Sequence, residues 1–104
     1  MKLEDIFNVL NRIGFKNDDG SMFDKIAFHT FRTRMSFTKS INGKDFMYWF
    51  GPNTEGSYTM TKQATNFVSI RADGNTQIEI LISGEFPSEY KEYKRDSKLN
   101  ELGI

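Results

Sequence analysis

The chain has 104 residues, with 14 basic and 14 acidic side chains, one His and no Cys. That length suits a single domain with one modest core, so residues 1–104 read as one unit. Zero net charge argues against a generically basic nucleic-acid binder and an acidic nucleic-acid mimic, and the lack of Cys excludes disulfides, thiolate metal sites and thiol nucleophiles.

Glu4 and Asp5 interrupt any signal-peptide core, and no later apolar run approaches a bilayer span. The expectation is a soluble cytoplasmic protein with no membrane partner. Ten Phe stand against five Leu and three Ala. Phe, Ile and Thr suit a pleated sheet better than a helix bundle, whose best formers are Ala and Leu.

Leu3, Ile6, Phe7, Leu10 and Ile13 predict an amphipathic helix. Glu4 and Asp5 in its first turn and Arg12 near its end suit the helix dipole, and Gly14 supplies a C-terminal cap. Residues 17–21 read as a turn. Residues 22–30 support a short helix capped by Ser21 and Asp24 or the first part of a long strand, and we favour a strand from about Ala27. Asn42-Gly43 between two apolar runs signals a two-residue hairpin loop of type I′. That turn pairs Ile41 with Lys44, Lys39 with Phe46, Phe37 with Tyr48 and Met35 with Phe50, on a mostly apolar face expected to be core. The opposite face carries Arg34, Ser36, Thr38 and Ser40 against Gly51, Trp49, Met47 and Asp45.

Residues 51–56 read as a loop and 57–62 as a short strand. A second hairpin is expected around Asp73-Gly74-Asn75. A three-residue loop there sets Ile70 against Ile78 and Val68 against Ile80, and leaves Glu79 solvated opposite Ser69 and Arg71 opposite Gln77. Pro87 then starts a C-terminal helix. Lys91, Lys94, Arg95 and Lys98 form a basic edge on it, Glu89, Glu92 and Asp96 an acidic one, and Tyr90 and Tyr93 a narrow docking stripe. Its like charges at i, i+4 leave it weak in isolation. The predicted class is α+β: an N-terminal helix, a four- to five-stranded mainly antiparallel sheet built from hairpins, and a C-terminal helix.

Catalysis needs a nucleophile, an acid–base pair or a metal within reach. His29 is the sole imidazole, and strand alternation puts it beside Phe31, Met35 and Phe37 as a structural residue. Nucleophile elbow, zinc pair, phosphate loop and dinucleotide loop are all missing. Asn17, Asp18 and Asp19 lack calcium-loop spacing. We therefore expect no enzyme, no metal and no cofactor. A small nuclease or transferase built on Glu79, Arg71 and Tyr58 is the least favoured option.

The neutral total hides a polarised chain: residues 1–24 sum to −2, residues 25–71 to +5 and residues 72–104 to −3. Arg32, Arg34, Thr38, Met47 and Trp49 gather on the non-core face of the first hairpin, in a combination enriched at protein interfaces. Against this stands a second reading, in which Tyr90 and Tyr93 cover Trp49 and Glu89 or Glu92 pairs with Arg32 or Arg34. The favoured function is a small non-enzymatic protein-binding module, an inhibitor or accessory factor of the immunity, antitoxin or phage type. The alternative is a single-stranded nucleic-acid binder on the same face, with Trp49 stacking on bases. Lys91, Lys94, Arg95 and Lys98 are a secondary candidate surface, and an exposed edge strand would allow homo-oligomers.

Overall fold

Helix α1, Leu3–Ile13, forms where the apolar spacing predicts it and buries Ile6, Phe7, Val9 and Leu10. The Lys2 backbone N–H donates to Asp5 Oδ2 at 3.2 Å, satisfying one free donor at the helix start. Gly14 ends the helix in the left-handed region (φ 112°), and its N–H reaches the Leu10 carbonyl at 3.1 Å. The structure, a computed structural model, describes residues 1–17, 34–64 and 67–101. Arg32, His29 and both readings of residues 22–30 lie outside the described residues.

Asn17, expected in a turn, is instead the second residue of β1 (Lys16–Asn17), which pairs with the start of β2 (Met35–Ile41). β2 and β3 (Lys44–Pro52) form the Asn42-Gly43 hairpin in the predicted register, from Ile41 opposite Lys44 to Met35 opposite Phe50. Both loop residues take positive φ, 52° and 79°, as a type I′ turn requires. Strand β4 (Tyr58–Ala64) runs slightly beyond the expected segment, and β5 (Phe67–Asp73) closes an antiparallel sheet of order β1-β2-β3-β4-β5. The β3–β4 loop is organised by Asn53, whose Oδ1 accepts the Glu55 and Ser57 N–H groups at 3.0 Å.

The second hairpin is not there. Residues Asn75–Glu85 form helix α2, so Asp73-Gly74-Asn75 is a strand-to-helix junction. Gly74 (φ 85°) keeps its N–H on the Tyr58 carbonyl, while its own carbonyl receives the Ile78 N–H. The Gln77 side chain accepts the Asp73 N–H at 2.9 Å. The alternation Ile78, Ile80, Ile82 competes with a helical stripe of Ile78, Leu81, Ile82 and then Phe86, and the stripe wins. Those four side chains are buried while Ile80 is left 66% exposed. Each buried Ile, Leu or Phe contributes about 1.5–3 kcal/mol, so covering the sheet with three or four of them outweighs exposing one.

Pro87–Glu101 form helix α3, as Pro87 predicts. Tyr90 and Tyr93 pack on the core, the Tyr93 hydroxyl donates to Asp5 Oδ1 at 2.5 Å, and Arg12 pairs with Asp96 at 3.0 Å. These ties place α3 beside α1, on the same side of the sheet as α2. The core between the helices and the sheet is aromatic, as the Phe content requires. Phe7 meets Phe50 edge-on at 5.8 Å, Phe50 stacks on Tyr58 at 5.5 Å, and Phe86 lies 4.9 Å from Tyr48 and 5.8 Å from Phe37. The architecture is α+β: helices on one face of an antiparallel sheet, the other face covered by no described helix. No described helix is long and apolar enough to cross a membrane.

Candidate binding face

Strand alternation and register lay out the uncovered face in rows. Ser36, Trp49, Thr61 and Arg71 form one row across β2, β3, β4 and β5, and Thr38, Met47 and Gln63 form the next. Ser40 and Asp45 follow at the hairpin end, while Gly51, Thr59 and Asp73 lie at the opposite end. Four of the five predicted patch residues, Arg34, Thr38, Met47 and Trp49, therefore share one face; the fifth, Arg32, is outside the described residues. The reading in which Tyr90 and Tyr93 cover Trp49 is overturned, because both tyrosines pack on the helix side. For the same reason Glu89 and Glu92 sit on the helix layer, away from Arg34.

Arg34 crosses the missing side chain of Gly51. A Cβ at position 51 would lie 2.7 Å from Arg34 Cγ, so only Gly permits this approach. The guanidinium then sits 4.8 Å from the Trp49 ring centroid, in cation–π range. Trp49 is half-buried and Met47 is 37% exposed, one of three large apolar side chains exposed among the described residues. Beside them is a cavity of about 360 Å³ bounded by Trp49, Met47, Thr38, Gln63 and Asp45.

Among its described residues, the basic middle segment does not gather into one basic face. Lys39 and Lys62 turn to the helix side and converge on Glu85 at the end of α2. Lys62 Nζ pairs with Glu85 Oε1 at 2.9 Å, Lys39 Nζ donates to the Glu85 carbonyl at 3.0 Å, and the buried Tyr48 hydroxyl donates to Oε2 at 3.1 Å. Burial, reinforced by the Glu85 charge and hydrogen bond, pushes the Tyr48 phenol well above its ordinary range. On the open face Arg71 Nε holds both carboxylate oxygens of Asp73, at 3.2 and 3.1 Å. The Thr59 hydroxyl bond and then Arg71 keep the Asp73 carboxyl below its usual range.

Glu79, expected to be solvated on a strand, is on α2 instead. It accepts the Met1 ammonium at 2.6 Å and the Tyr90 hydroxyl at 2.5 Å, and these bonds hold its carboxyl below the ordinary range. Glu79, Arg71 and Tyr58 are not brought together: Arg71 is on the open face and Tyr58 stacks on Phe50. The basic edge of α3 is broken up as well, since Lys94 lies 3.9 Å from Glu79 and Arg95 3.5 Å from Asp96, with Lys91 and Lys98 exposed.

A second cavity, about 440 Å³, runs between β5 and α2 under Ile70, Ile80 and Leu81. Neither this groove nor the Glu85 cluster was found by sequence reasoning, because both depend on α2 being a helix. Among the described residues no group of three or more His, Asp or Glu is placed to hold a metal ion. Comparison with models of known families, with curated proteins and with solved structures found no match to the chain.

Proposed function

We propose that the chain is a non-catalytic binding domain that docks a partner protein on the open face of its sheet and acts by occupying that partner's surface. One observation carries the reading: the exposed Met47 and half-buried Trp49 lie among the hydroxyl and amide side chains of Ser36, Thr38, Thr61 and Gln63, on a face that no described helix covers. An apolar centre with a polar rim is the anatomy of protein–protein interfaces, and Trp and Arg are their commonest energetic anchors. An inhibitor, immunity protein, antitoxin or phage accessory factor would work in this way.

Two observations favour protein over single-stranded nucleic acid. Arg34 occupies one side of the indole, which a stacking base would need. Lys39 and Lys62 are turned to the helix side and bonded to Glu85, so they add no positive charge to this face for phosphates. The test is affinity capture from the source cells with wild type, Trp49→Ala, Met47→Asp and a helix-side control, Lys91→Ala. A protein retained by wild type and Lys91→Ala but lost from folded Trp49→Ala and Met47→Asp supports the reading. Capture indifferent to both face variants refutes it. A Trp49 emission change on adding single-stranded oligonucleotides that weakens steeply with salt would transfer the face to nucleic acid.

A further inference from the structure

We infer that the cavity beside Met47 receives a basic side chain, a lysine or arginine, presented by the docked protein. The inference rests on the sheet-face reading and supplies the chemistry of one contact within it.

The walls and the charge point the same way. Trp49 and Met47 provide an aromatic and a thioether surface of the kind that lies along the aliphatic stem of a long cation. Asp45, at the hairpin end, is the sole charged side chain lining the cavity, and among the described residues no cation pairs with it. Thr38 and Gln63 add a hydroxyl and an amide oxygen as further acceptors.

Among the described residues, the cations nearest the cavity are committed elsewhere or face away. Lys39 and Lys62 are on Glu85, Arg34 lies at the far side of Trp49, and alternation turns Lys44 to the opposite face. The other possible occupants are penalised. An anion would meet the Asp45 carboxylate, and an apolar side chain would strip water from that carboxylate without replacing its hydrogen bonds. A cation does neither. Asp45 lies six residues along β3 from Gly51, about 20 Å at strand rise, so the cavity is at the hairpin end of the face. The partner's basic residue would therefore lie towards the hairpin.

Trp49 is the only Trp in the chain and lines the cavity, so its emission reports occupancy. The full chain would be titrated with trilysine, triarginine and triglutamate at matched ionic strength, alongside Asp45→Asn and Asp45→Lys. The expected result is a saturable emission change with the two basic peptides and none with triglutamate. Asp45→Asn should weaken the response about fivefold, and Asp45→Lys should abolish it. No saturable response to either basic peptide, or an undiminished response in Asp45→Asn, overturns the inference. Loss of partner capture in Trp49→Ala and Met47→Asp, with capture intact in Asp45→Lys, removes the cation contact and leaves the docking face standing. Capture indifferent to Trp49 and Met47 removes both.

Discussion

The Glu85 side chain joins the last turn of α2 to β3 and β4, and its removal should cost more than any exposed ion pair would suggest. In Glu85→Ala the Tyr48 hydroxyl loses its acceptor while its ring stays buried, a penalty of about 1–3 kcal/mol. Lys62, whose side chain is 14% exposed, loses its counter-ion, for about another 1 kcal/mol. Removing an acid from a helix C-terminus returns about 0.3–0.5 kcal/mol. The net is a loss of about 2–3 kcal/mol from a domain whose total stability is of order 5–15 kcal/mol. At about 4–8 °C per kcal/mol, Tm should fall by roughly 10–20 °C.

Tyr48→Phe removes the donor as well as the need for it, and Glu85 keeps Lys62, so that variant should lose only about 1 kcal/mol. In the double variant no hydroxyl is orphaned, so the two single losses should exceed the double loss by about 1–2 kcal/mol. Urea unfolding followed by circular dichroism and Trp49 emission measures all four corners. Additive losses, or a Glu85→Ala loss below about 0.5 kcal/mol, would refute the coupling. The alkaline arm has a definite sign. The Tyr48 phenol is raised by burial first and by Glu85 next, so its contribution is intact below about pH 10 and drains as pH climbs above it. Tyr48→Phe should lose that part of the alkaline slope.

Ile80→Lys should change stability by no more than about 0.5 kcal/mol because the side chain is largely in solvent, whereas Ile82→Ala should cost about 2–4 kcal/mol; a collapsed Ile80→Lys would restore the strand reading of this segment. Gly51→Ala should push Arg34 aside and shift Trp49 emission as Arg34→Ala does, and identical spectra for Gly51→Ala and wild type would show that the guanidinium does not need the open Gly. Glu79 is held below its ordinary range by the Met1 ammonium and then by Tyr90, so its contribution is present above about pH 4.5 and lost as pH falls below it. Urea midpoints across acidic pH should therefore fall less steeply in Glu79→Gln than in wild type.

Where local chemistry specifies geometry, the sequence was legible. Asn42-Gly43 permits one short turn, and that turn set every pair from Ile41–Lys44 to Met35–Phe50. Gly14 and Pro87 marked helix boundaries because left-handed φ and a missing N–H have few other uses. Residues 76–82 were illegible for a physical reason: Ile78, Ile80, Leu81 and Ile82 satisfy a period of two and a helical stripe almost equally. What decides between them is the need to cover Met60 and Ala72 on the sheet, which no local pattern encodes. The open face follows from the hairpin register alone, so the grouping of Thr38, Met47, Trp49 and Asp45 does not depend on α2.

Charge was the misleading signal, and the reason bears on function. A segment of +5 in sequence suggested a basic surface, but strand alternation sends neighbouring residues to opposite faces. Lys39 and Lys62 thus share a parity with Tyr48 and Phe50 and end beneath α2, where the Glu85 carboxylate, from the acidic C-terminal third, pairs with Lys62 and the Glu85 carbonyl accepts Lys39. Arg71 is neutralised by Asp73 on its own strand. Among the described residues, part of the middle segment's charge is thus met within the fold, and the Lys62–Glu85 pair fastens the helix layer to the sheet. On the open face Arg34 lies over Trp49 near one end and Asp45 stands at the other. On the proposed docking reading, an apolar centre set among separated polar and charged side chains would select a partner by geometry and pairwise chemistry, rather than by attraction to a polyanion.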